Sequence, residues 1–127
     1  MIESFASGFL VFAYLATALF QLAIVLGAPL GEYAYGGQRE GKLPMPYRVA
    51  SAVSFLVMLA LAGHYLAQTG VLTPLLPADQ NAIVNWVLVG FAALAALMNN
   101  ITKSQKEKRL WGSTTLAMLL SAVLVAL

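Results

Sequence analysis

Glu32 is the side chain best placed for chemistry in this sequence. It lies in Gly27-Ala28-Pro29-Leu30-Gly31-Glu32-Tyr33-Ala34-Tyr35-Gly36-Gly37, where glycines, a proline, two tyrosines and a carboxylate crowd together at the end of the longest apolar run. A carboxylate folded back against apolar surface has its pKa raised and becomes an acid. One left in water pairs instead with a nearby cation, here Arg39 or Arg48. The order of the apolar segments brings Gln21, Tyr33, Tyr35, Arg48, Ser51, Ser54, Asn99, Asn100 and Trp111 to about the same depth as Glu32. With Arg48 as counter-charge, the set reads as a small polar pocket able to bind a ligand. The same residues also read as interfacial caps and interhelical hydrogen bonds, which every helix end collects. No catalytic set is assigned to them.

His64 is the only imidazole. Counting about 26 Å along a helix from Tyr47 puts it at the opposite surface, beside Asn85 of an antiparallel partner. No second His, Cys or Met stands at a supporting spacing, so a hydrogen-bonded histidine is expected and no metal or haem cofactor is assigned. With no cysteine there is no thiolate or disulfide chemistry. No apolar segment carries Asp, Glu, Lys or Arg near its middle, which argues against proton-coupled transport. No phosphate loop, zinc signature or Ser/His/Asp set is present.

The elements that must position these groups are helices crossing a membrane. Hydrophobic residues make up 61% of the 127 and charged residues 9%, whereas soluble domains are about half apolar and a quarter charged. Four segments qualify as spans, at about 5–27, 47–68, 82–101 and 110–127. The first alone is about 34 Å long, against a hydrocarbon core of about 30 Å. It opens with Glu3 where a secretory leader has basic residues, so it is expected to be a span. Gly27 and Pro29 end it, and Asp79 is a candidate N-cap for the third. The expected fold is all-α, a single antiparallel four-helix bundle.

Charge orients it. All seven Lys and Arg lie in or beside two connections: Arg39, Lys42 and Arg48 in the first, Lys103, Lys106, Lys108 and Arg109 in the third. The positive-inside rule puts these in the cytosol and both termini outside. Tyr33, Tyr35, Tyr47 and Trp111 then form an inner aromatic belt, and Phe5, Tyr65 and Trp86 an outer one. The basic residues are accounted for by orientation and contact with anionic lipid, so no nucleic-acid partner is implied. Lipid is as apolar as leucine, so small residues should mark the packed faces: Ser113, Ala117 and Ser121 on span four, Ala92 and Ala96 with Gly90 nearby on span three, Ala50 with Ser54 and Ala60 near Gly63 on span two. Short connections make spans two and three, and three and four, antiparallel neighbours.

The Gly27-Ala28-Pro29-x-Gly31-Glu32-Tyr33 pattern is followed by Gly36-Gly37 and by Leu43-Pro44 before span two. Met98-Asn99-Asn100 closes span three and leads to Arg109-Leu110-Trp111-Gly112. Together these resemble a group of small bacterial four-span membrane proteins with no assigned activity, to which His64 is not common. The resemblance implies the bundle and a bacterial inner-membrane location, and carries over no substrate or catalytic residue. The leading functional reading is non-enzymatic: a membrane subunit or small homo-oligomer that binds a protein partner or a small ligand at its cytosolic face. A channel lined by Gln21, Ser54 and Asn99 is the second reading, and a lipid- or quinone-binding enzyme or carrier the third. Because the chain has no cysteine of its own, the orientation is directly testable. Cysteines introduced at Ser4 and Ser104 should react with a membrane-impermeant maleimide from the periplasmic and the cytosolic side respectively; labelling of position 104 from the periplasm reverses the topology.

Overall fold

The computed structural model describes residues 1–127. Four long helices make up most of it: α1 (Ile2–Val25), α2 (Met45–Gln68), α3 (Ala78–Ile101) and α4 (Gln105–Ala126), with no strand. Each is long and apolar enough to cross a membrane. The boundaries differ from the sequence reading mainly at helix starts. α3 begins at Ala78 with Pro77 as its cap, leaving Asp79 within the first turn. α4 begins at Gln105 and contains one π turn, Lys108–Gly112.

The end of α1 shows how local sequence sets the architecture. Gly27 adopts φ 94°, a left-handed conformation that costs glycine little. Its N–H reaches the Ile24 carbonyl at 3.0 Å and the Ala28 N–H reaches the Ala23 carbonyl at 2.9 Å, the paired bonds of a Schellman cap. The Val25 carbonyl left over is taken by Arg48 of α2, whose Nε and Nη2 donate at 3.1 and 2.7 Å. A guanidinium at a helix C-terminus also meets the negative end of the helix dipole. This contact sets the register of α1 against α2.

α1 lies along α2 on one side and α4 on the other, and α3 packs on α4. α2 and α3 are neighbours, as expected, but their backbones approach each other little. Those two helices meet through side chains near their connection, where His64 Nε2 stands 2.7 Å from Asn85 Oδ1. Gln68 and Asn81 exchange amide bonds of 2.9 and 2.8 Å, and Asn85 Nδ2 donates to Gln68 Oε1 at 3.2 Å. Beyond this polar knot the helices separate.

The main core fills the half of the bundle nearest the termini. It contains Leu10, Ala13 and Tyr14 of α1, Ala62 and Tyr65 of α2, Leu88 and Ala92 of α3, and Met118 and Ala122 of α4. Tyr65 is therefore no belt residue: it is fully buried and stacks on Tyr14, with ring centres 5.8 Å apart and planes 6° from parallel. Ala92 and Ala96 are buried as expected, with Gly90 exposed. On α2 the buried positions are Ser51, Ala62 and Tyr65, while Ala50 and Ala60 are exposed. On α4, Thr115, Met118 and Ala122 turn inward and Ser113 and Ala117 turn away. The packed line carries the larger Thr115 and Met118, and the small-residue line beside it turns outward.

Breaking the α2–α3 knot should loosen one end of the bundle. Asn85→Leu removes acceptor and donor together, and should cost about 1–2 kcal/mol in reversible unfolding from detergent micelles; an unchanged midpoint would show that the knot adds nothing.

Candidate functional site

The half of the bundle away from the termini carries every Lys and Arg, and here the helices enclose a cavity of about 550 Å³. Tyr14, Thr17, Phe20 and Gln21 of α1 form one wall, and Phe91, Ala95, Met98 and Asn99 of α3 face them. Trp111, Thr115 and Met118 of α4 close the back, and Met58 alone contributes from α2. The opening lies between α3 and the α1–α2 pair, where Phe91 and Met98 line the space yet stay exposed. Phe20 and Trp111 meet edge to face across it, ring centres 5.0 Å apart.

The loop between α1 and α2 makes the floor. Ile24, Ala34 and Leu43 form a second small core that anchors it to the last turn of α1. Gly31 donates to the Gly41 carbonyl at 2.8 Å, so close that a Cβ there would fall 2.5 Å from the Arg39 carbonyl oxygen. Tyr35, Gly36 and Gly37 then make a left-handed turn, with φ 53°, 75° and 68°. For tyrosine this is a strained conformation, worth about 1–2 kcal/mol. It is held by the Tyr35 hydroxyl, 2.8 Å from Ser51 Oγ on α2, and by the Tyr35 ring packed on Tyr47.

The start of α4 fastens the same loop from the other side. Ser104 caps α4 by accepting from the Glu107 N–H at 3.1 Å, and its hydroxyl donates to the Glu32 carbonyl. In a capping box the Glu107 carboxylate would turn back to the Ser104 N–H. That N–H goes instead to Thr102 Oγ1 at 3.2 Å, and Glu107 Oε2 accepts from Gly36 N–H of the loop at 3.1 Å. Glu107 is only 6% exposed and lines the cavity.

Of the residues picked from sequence, Gln21, Tyr33, Tyr35, Asn99 and Trp111 line this cavity. Glu32 does not. Its side chain is 37% exposed and its carboxylate pairs with Lys106 Nζ at 2.7 Å, in a surface groove beyond the floor. Arg48 is not its counter-charge, being committed to the α1 carbonyl described above. Ser51 holds Tyr35, and Ser54 is half-buried outside the cavity lining. Asn100 donates to the carbonyls of Ala96 and Gly112 at 2.7 and 3.1 Å, tying α3 to the π turn.

Glu107 was missed. Its signal was the Ser104-x-x-Glu107 spacing inside a run that otherwise reads as surface charge. Two buried polar atoms have no partner in the protein, Gln21 Oε1 and the Tyr65 hydroxyl. The first belongs to the cavity wall. Asn99 uses its Nδ2 on the Ala95 carbonyl at 2.7 Å, which leaves its amide oxygen free. The arrangement is an apolar slot with acceptor oxygens at its polar end, suited to binding an amphipathic molecule.

No family model matches this sequence, and neither the curated proteins nor the solved structures contain a significant match to it.

The floor depends on close backbone approach at Gly31. Gly31→Ala should push the Arg39–Gly41 strand of the loop away, at a cost of about 1–3 kcal/mol, and speed proteolysis between residues 31 and 43. Cleavage at the wild-type rate would show that the loop tolerates the methyl group.

Proposed function

We propose that this multi-pass membrane protein binds a small amphipathic molecule in the cytosolic leaflet, holding it without chemical change. The observation that carries the reading is the cavity: its volume falls in the range of about 300–1,000 Å³ typical of ligand sites, its walls are mostly apolar, and Asn99, Lys103 and Glu107 add amide and charged groups to them. Charge supports the orientation, since all seven cations lie in or beside the two connections at the cavity end of the bundle, and such segments stay in the cytosol. The bacterial inner membrane is the location that the Gly-Ala-Pro and Met-Asn-Asn patterns imply by resemblance.

Binding is favoured over conduction because the other half of the bundle is filled. The Tyr14–Tyr65 stack, with Leu10, Leu88 and Met118 around it, closes the axis beyond the cavity. A solute entering at the basic end meets packed side chains, not a path.

Ala95 stands on the cavity wall, and Ala95→Trp should fill the slot. Native mass spectrometry of the protein released from its own membranes should show a small molecule or lipid retained by the wild type and lost from Ala95→Trp at unchanged melting temperature. No retained mass on the wild type, or equal retention by both, would remove the proposal.

A further inference from the structure

We infer that the cavity selects a cationic head, an ammonium-bearing amphiphile whose nitrogen lies against Glu107 and whose tail runs along the apolar wall. This rests on the binding reading above and adds the charge of the ligand. Glu107 is enclosed to 94%, being only 6% exposed, and its one protein partner is a neutral donor, the Gly36 N–H at 3.1 Å. Of the nearby cations, Lys106 is engaged by Glu32 at 2.7 Å, the single ion pair in the structure, and Lys103, which borders the same cavity, forms no ion pair with Glu107. A carboxylate largely withdrawn from solvent with one neutral bond gains from an opposite charge.

The other polar atoms of the slot ask for the same chemistry. Asn99, on the cavity wall, spends an amide hydrogen on Ala95 and leaves its oxygen without a donor. The acceptor oxygens of Glu107 and Asn99 suit an ammonium group, which has hydrogens to donate and no lone pair to offer. Trp111 also lines the slot, and an indole is the side chain that attracts cations best. A carboxylate or phosphate in the same position would oppose Glu107. Lys103 borders both the cavity and the polar surface groove, so the phosphate of an ethanolamine phospholipid has a place outside the ammonium site. A free long-chain amine presents the same ammonium without it.

The test uses the full chain in phosphatidylcholine nanodiscs, titrated at neutral pH with dodecylamine and with dodecanol, following tryptophan fluorescence. Wild-type protein should bind the amine about tenfold tighter than the alcohol. Glu107→Gln, whose amide oxygen still accepts from Gly36, should bind the alcohol as before and lose the preference, and Glu107→Asp should keep it. The wild-type comparison stands whether or not a variant folds. Equal affinity of wild type for amine and alcohol overturns the charge selection alone, as does a preference that survives in Glu107→Gln. Failure of both probes to bind overturns the selection together with the binding reading. Retention of an ethanolamine phospholipid by wild type and not by Glu107→Gln would identify the lipid as the source of the ammonium; an amine preference without it would identify a free amine.

Discussion

The fastening of the α1–α2 loop to the first turn of α4 decides whether this bundle has a floor. Four apolar helices in lipid gain little from burying leucine against leucine. The polar groups therefore do the joining, and here they do it at two levels. At one end His64, Gln68, Asn81 and Asn85 knot α2 to α3. At the other, Ser104 and Glu107 hold the Glu32 carbonyl and the Gly36 N–H. Between these ties the packing is uneven, solid near the termini and hollow near the loop. Without the second tie the hollow would open directly to water.

What could be read from sequence followed physics that acts locally. Length and composition located the helices, because spanning a bilayer demands a run of apolar residues whatever the tertiary structure. Gly27 announced the end of α1, because a left-handed cap is a property of one residue and its neighbours. The His64–Asn85 contact was also legible, since depth along two antiparallel helices is a matter of counting. The gathering of Gln21, Tyr33, Tyr35, Asn99 and Trp111 around one space followed from the same counting.

The rest was not legible, because it depended on choices between nearly equal partners. Glu32 has several cations within a few residues or a short loop; the structure pairs it with Lys106, because Arg48 is drawn to a carbonyl that the end of α1 leaves unpaired. The inward face of α4 is not the small-residue line Ser113-Ala117-Ser121 but its neighbour Thr115-Met118-Ala122, and the preference for small residues does not choose between two such lines on one helix. Glu107 was hidden in a run of charge. Only the loop, folded back from 71 residues away in the chain, withdraws that carboxylate from solvent.

The direction in which the hollow faces matters as much as its lining. Phe91 and Met98 line it yet stay exposed on the flank of the bundle, so the amphiphile proposed above would exchange with the bilayer while its hydrocarbon stays in hydrocarbon. A twelve-carbon chain leaving through water would forfeit roughly 0.8 kcal/mol for each methylene, a barrier of roughly 10 kcal/mol that the flank route avoids. On the proposed binding, desolvation of the head group alone would govern loading and release, and the residence time of an occupant would be nearly independent of how long its tail is.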